Sequence, residues 1–450
     1  MKYLQGGPRV NIKTIFSWKR ALRGAALLAA LWTAFSLLLG GSAVLIPRSA
    51  IEEHMRSAAA YYEERPGFDE LGGDNSAVIH NYADAVSLNL IWSVDEKDPF
   101  RSAFAAPYYD PGSEVTSGVE LAETVLRGVP ADNTYGRYWH GSTVPLRVLL
   151  TVTGVQGIRM VNAVVLGMLT LIFGVLLFRR RLFVLLGAFL FAVFYCKCWV
   201  VPLCFEYVAC FVIMLAFGIL ILVLEGRVRD WSGWFLAAGA LTCYFDFLTC
   251  EILTLLVPAL ILMRIRHGGG ENCRGTAWRS LGAWSGLWLF GYGSTWVVKW
   301  VLTALMTGQS ITDIALKAGV ARAVGETGVA GVGLQFVDAL LVNLGRVWPM
   351  NGSLKAQYIF ICLLIVGFVL LAVWYLFRGK PRSGGLAPVL LAIGALPLVR
   401  WAVLSNHSSM HPFMTFRDLI ITILALAVFY EETLSISIPS RRLKQERRRV

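Results

Sequence analysis

Charge is scarce in this 450-residue chain: Asp, Glu, Lys and Arg make up 16% of it, against about 25% in a soluble domain. Cysteine is few as well, with eight residues, all placed in or near apolar runs or in one short basic connection. The two long hydrophilic stretches, 47–157 and 305–355, contain none. That excludes a disulfide scaffold there. Cys196-Lys197-Cys198 with Cys204 fits no common zinc spacing and reads as small apolar packing residues. No internal repeat, Walker motif or dinucleotide-binding glycine motif is present. What remains is apolar mass, 56% of the residues, which excludes disorder and a soluble multidomain enzyme. The net charge of +12 would suggest nucleic acid in a soluble chain. Its placement here says otherwise.

Ten apolar runs are long enough to cross a hydrocarbon core of about 30 Å. They lie at 24–46, 158–178, 182–203, 206–224, 231–249, 251–263, 281–304, 356–377, 386–404 and 413–430. The expected fold is therefore all-α, a polytopic helical membrane protein with ten spans and a folded outer loop containing short membrane-lying helices. With both termini cytoplasmic, 24 of the 41 Lys+Arg fall in inner segments, as the charge rule requires. The organisation is a basic start (1–23), a first span (24–46), and an outer loop (47–157). Six spans (158–304), a second outer loop (305–355), three spans (356–430) and a basic tail (431–450) follow. The first span is read as an uncleaved anchor, because its apolar core is longer than that of a signal peptide and no cleavage site follows. Ile311–Ala323 is expected to be an interfacial helix.

Segment 47–157 carries 16 Asp+Glu against 8 Lys+Arg and many Tyr, Trp and Phe residues. Loops this long are usually functional. Helices are expected at Ile51–Glu64, stopped by Pro66-Gly67, and at Ala83–Trp92 and Gly118–Leu126. Within it, His80-Asn81-Tyr82-Ala83-Asp84 places a carboxylate beside polar partners. Asp84 is the candidate general base, or a ligand for a divalent cation; capping or solvating a helix is the bland alternative. His80 and Asn81 are candidate substrate-binding groups. A second cluster, Arg137-Tyr138-Trp139-His140, suits a lipid phosphate at headgroup depth.

A third cluster follows the ninth span: His407 and His411, four residues apart, then Arg417. It suits phosphate better than zinc, since no further metal ligand stands near. Arg137 or His140 is expected to meet His407 or Arg417 around one phosphate. Charges inside spans are costly unless paired. Asp246 lies deeper than Lys299, and is expected either to be protonated or to pair with Lys299 or Lys197. With Glu206, Glu251 and Arg400, these charges are expected to line one polar cavity beneath the acidic loop.

The segments NYADAVSLN (81–89), RYWHGSTVPLRVLL (137–150) and NHSSMHPFMTFR (406–417), with Phe245–Thr249, Gly291-Tyr292 and Lys299-Trp300, resemble uncharacterised multispanning membrane proteins of Gram-positive bacteria. The layout is similar to GT-C integral-membrane glycosyltransferases. That resemblance implies a polyprenyl-phosphate-linked sugar donor, a cell-envelope glycan acceptor, and an essential acidic residue in the first outer loop. Glu52 and Glu53 occupy the position soon after the first span where that family commonly has it, while Asp84 comes later. Three functions stay open. One is a polyprenyl-phosphate-dependent glycosyltransferase of the bacterial cell membrane, the second a non-enzymatic envelope-assembly protein, and the third a transporter or flippase of a lipid-linked or small polar substrate. No nucleic-acid partner is expected.

Overall fold

The computed structural model describes residues 18–112, 115–268, 274–312, 332–347 and 386–433, with 359 and 367 as isolated positions. The span at 356–377, most of Ile311–Ala323, the basic tail 441–450, Cys273 and Cys362 lie outside the described residues. What is described is an all-α bundle. Three of its helices are long and apolar enough to cross a membrane: Trp18–Leu45, Val155–Arg179 and Pro412–Thr433. On Val155–Arg179 the residues Met160, Val164, Met168, Leu171 and Phe178 are exposed, a belt of apolar side chains of the kind that lipid or a partner covers.

Shorter apolar helices fall on other expected runs: Phe183–Tyr195, Val208–Leu224, Ser232–Phe245, Leu253–His267 and Ala387–Val403. The helix Arg274–Thr307 covers the run at 281–304 and extends beyond it at both ends. The run at 182–203 is not one helix. Phe183–Tyr195 ends at Lys197, whose φ is +50°, and a 3₁₀ segment, Cys198–Leu203, continues around Pro202. Proline cannot donate to a helical ladder, so no regular α-helix runs through Pro202. Ser232–Phe245 packs closely on Arg274–Thr307 through Gly239 and Gly291. A Cβ on Gly239 would meet the Trp288 carbonyl, and one on Gly291 the Leu236 carbonyl. Small residues let the two backbones approach.

Helix ends gather at two poles. At one, Arg20 pairs with Asp230 (3.7 Å), Arg266 with Glu225 (2.7 Å) and Arg264 with Glu431 (2.8 Å). At the other, segment 47–157 folds over the bundle. Its helices Glu52–Glu63, Asn81–Trp92 and Ser117–Leu126 match the three expected there to within two residues. They enclose Met55, Tyr62, Leu88 and Leu121. The sequence reading did not anticipate two small antiparallel hairpins, Phe68–Glu70 with Val78–His80 and Pro107–Tyr108 with Asn133–Thr134. The segment is tied to the bundle by Gly141 N–H donating to the Tyr244 carbonyl (2.9 Å) and Trp300 Nε1 to the Arg137 carbonyl (3.0 Å).

Candidate functional site

Asp84 is fully buried beneath the loop layer. Its Oδ1 accepts from the Phe205 N–H at 2.8 Å; its Oδ2 accepts from Tyr62 Oη at 3.0 Å and from Arg159 at 3.3 Å. Arg159, from Val155–Arg179, also donates to Tyr61 Oη and to Asn81 Oδ1. The carboxylate thus fastens two loop helices to two bundle elements. Burial pushes its pKa up to about 6 although the Arg159 cation opposes the shift. Burial, with the Asp84 charge, also pushes the Tyr62 hydroxyl well up. A group so enclosed positions its neighbours. Glu52 and Glu53 are exposed on the first turn of their helix, and Glu52 pairs with Arg56.

Four residues earlier stands a group of different character. The hairpin strand Val78–His80 delivers His80, whose Nδ1 lies 2.9 Å from Glu206 Oε2. Both residues are buried. A carboxylate at Nδ1 fixes the proton there and leaves the lone pair on Nε2. His80 Nε2 is buried and has no hydrogen-bond partner among the described residues. Around the ring stand Phe413 (5.0 Å between centroids), Tyr207 (6.2 Å) and His411 (6.5 Å), and His411 in turn packs on His407 at 4.7 Å. Phe68 and Tyr82 lie nearly parallel to His80 and are both about half exposed, at 48% and 47%.

Arg417 completes this group from below. Its guanidinium lies over the rings of Tyr207 (5.1 Å) and Phe416 (4.9 Å), and Nη1 donates to the Phe413 carbonyl at 2.8 Å. Its Nε and Nη2, both buried, have no partner among the described residues. Buried guanidinium N–H groups are costly to leave unmade, and among the described residues these two are open to an acceptor. Two parallel N–H donors suit a phosphate or carboxylate.

The structure therefore brings His80, His407, His411 and Arg417 together. It sets Arg137, Tyr138, Trp139 and His140 in a neighbouring aromatic wall. Arg137 lies over Tyr135 at 4.2 Å, and Tyr138 packs on Trp296. His140 donates from Nε2 to the Tyr135 carbonyl at 2.7 Å, and burial drives its pKa down to about 3, so it is neutral. The two groups meet opposite sides of one turn. Tyr138 and His140 pack on Phe247, while His407 and Arg400 donate to the carbonyl of Leu248.

The expected pairing of Asp246 with Lys299 or Lys197 is not what forms. Asp246 accepts from the Leu248 and Thr249 N–H groups, Thr249 Oγ1 and Cys210 Sγ, which cap its turn. Lys299 is buried in an aromatic box and donates to the Phe104 carbonyl at 2.8 Å. Lys197 pairs with Asp74, and Arg400 with Glu251 at 2.9 Å. Asp246 is met mainly by its own turn, whereas Lys197, Lys299 and Arg400 are each met by a group from a distant segment. Sequence reasoning placed Glu206 only among the charges of a polar cavity and missed its pairing with His80. Among the described residues no group of three His, Cys, Asp or Glu could hold a metal ion. No family model matches the chain, nor does any curated protein or solved structure.

Proposed function

We propose that the chain is a membrane transferase of GT-C-like layout, working on a polyprenyl-phosphate-linked sugar at the pole covered by segment 47–157. The observation that carries this reading is the His80–Glu206 pair with its unpartnered Nε2 and the unpartnered N–H groups of Arg417, both side chains packing on Tyr207. In the proposed reaction His80 Nε2 takes the proton of an acceptor hydroxyl as that oxygen bonds to the anomeric carbon. The bond from that carbon to the phosphate oxygen breaks, and Arg417 neutralises the departing lipid phosphate. Glu206 stabilises the imidazolium. Asp84, with Arg159, holds the strand-to-helix corner that presents His80.

Ten spans with both termini in the cytoplasm belong to the same proposal. It is supported by the alternation of helix ends: those carrying basic connections gather at one pole, and the 47–157 layer covers the other. A host strain lacking the gene tests the function. Wild-type protein should restore the missing envelope glycan and drain the polyprenyl-phosphate sugar pool measured by lipid mass spectrometry. His80→Asn at equal membrane abundance should do neither. An unchanged lipid-linked pool in the deletion strain would overturn the reading.

A further inference from the structure

Tyr207 follows Glu206 directly and caps the start of the helix Val208–Leu224. Two consecutive residues therefore serve one imidazole: Glu206 meets His80 Nδ1, and the Tyr207 ring packs on the His80 ring at 6.2 Å between centroids. Arg417 lies over the same tyrosine ring at 5.1 Å. Phe413 closes the group, its ring against His80 at 5.0 Å and its carbonyl accepting from Arg417 Nη1 at 2.8 Å. His80, Tyr207 and Arg417 are each at most 3% exposed. The Tyr207 hydroxyl, which the reaction above does not use, is buried without a partner among the described residues, as are His80 Nε2 and Arg417 Nε and Nη2. A buried tyrosine hydroxyl ordinarily finds a partner. Here every side chain that meets at its ring leaves a polar atom unmade.

These atoms ask for a particular complement. Glu206 keeps the imidazole proton on Nδ1, so Nε2 only accepts; the guanidinium only donates; the tyrosine hydroxyl does either. A matching ligand gives one hydrogen and accepts at least two. A carboxylate or a phosphate diester gives none. A phosphate monoester that holds one proton gives that hydrogen and accepts through its other oxygens. The surroundings add a second requirement. Phe68 and Tyr82, both about half exposed, pack on His80 at 5.1 and 6.0 Å, and Phe68 also packs on Phe413 at 5.1 Å. An apolar border beside buried polar atoms suits a phosphate that carries a hydrocarbon tail better than free phosphate.

We propose that Tyr207, with His80 and Arg417, binds the singly protonated phosphate monoester of a lipid, and that its hydroxyl delivers the proton to that phosphate. In the transfer reaction His80 has taken a proton from the acceptor hydroxyl. Tyr207 Oη receives it from Nε2 as it gives its own hydrogen to the departing phosphate oxygen. The tyrosine ends unchanged, and the products are the glycoside and the protonated lipid phosphate. The proton relay rests on the proposed function; the binding itself does not.

The test is calorimetric titration of the intact protein in phosphatidylcholine nanodiscs, with empty nanodiscs as the blank. The probes are farnesyl phosphate, its methyl ester (a diester with no P–O–H), inorganic phosphate and farnesol. The wild type should bind farnesyl phosphate at least about five-fold tighter than each of the others, the effect of one hydrogen bond. Tyr207→Phe removes a single oxygen and keeps the ring, so it should fold. It should weaken farnesyl phosphate about five-fold and bind it no better than the methyl ester. Equal binding of monoester and methyl ester, wild-type binding by Tyr207→Phe, or inorganic phosphate held as tightly as farnesyl phosphate would overturn the proposal. Binding that responds as expected, in a protein that transfers no sugar, would retain the site and remove the proposed reaction. Weakened binding with an unchanged transfer rate in Tyr207→Phe would remove the relay.

Discussion

His80 and Glu206 stand 126 positions apart in the chain, yet Nδ1 of one and Oε2 of the other are 2.9 Å apart in a buried site. Glu206 follows the 3₁₀ segment that contains Pro202, and His80 ends a three-residue strand. The irregular backbone on both sides is what lets the two meet.

If His80 transfers the proton, His80→Ala should lower transfer at least 100-fold, the usual span for general base catalysis being about 10²–10⁴. Glu206→Gln keeps a hydrogen-bond acceptor but removes the charge, and should leave a measurable intermediate rate. Initial rates on labelled polyprenyl-phosphate sugar check both. Equal rates for the two variants and the wild type would remove the dyad from the chemistry.

The Asp84–Arg159 clamp should behave as a buried pair. Arg159→Met alone strands a carboxylate and should cost about 3–5 kcal/mol. The double variant Asp84→Asn with Arg159→Met should recover much of that, because neither charge is left uncompensated. Thermal melting in detergent measures the coupling, and strict additivity would show that the two side chains do not interact.

Burial raises the Asp84 pKa from 3.8 to about 6, so the folded state holds this proton more tightly than the unfolded chain. The stabilisation is complete below about pH 4 and is lost as pH rises to about 6. Two pKa units correspond to roughly 3 kcal/mol. The wild type should therefore lose stability relative to Asp84→Asn across that window, with parallel curves above pH 7. Parallel curves throughout would contradict the shift.

Gly291→Leu should abolish accumulation in the membrane, since its side chain would enter the Leu236 backbone and overpacking costs about 1–3 kcal/mol or more. Gly282, on the same helix, has open space around it. Gly282→Leu should be tolerated, and immunoblots of membranes compare the two.

Reporter fusions after Pro111 and after Arg229 should report opposite sides of the membrane. The first position lies in the layer over one pole, and the second precedes Asp230, which pairs with Arg20 at the other. Agreement between the two reporters would end the two-pole topology.

Helices were the legible part of this chain. The apolar runs located the bundle helices, and Glu, Arg and Ala content with the stop at Pro66-Gly67 located Glu52–Glu63, because local composition and breakers carry that signal. Partners were not legible. A lone Asp246 in an apolar run gives no sign that the following turn will supply its donors, and Lys299 none that a carbonyl will serve it. The candidate site was half visible: His80, His407, His411 and Arg417 stood out as polar residues in unusual places. Glu206 and the hairpin that aims His80 depend on contacts between distant segments, which no local pattern encodes.

The turn at 246–249 has a consequence beyond its own stability. Phe247 touches His140 and Tyr138, while the next residue's carbonyl receives His407 and Arg400. Leu248, held at φ +67°, has little room to yield alone. A ligand that displaces Phe247 therefore shifts the oxygen to which the opposite face is tied. If each face of the turn takes a ligand, occupancy on one side and affinity on the other are linked, equally in both directions. Two molecules that never touch would then sense each other through a single peptide group.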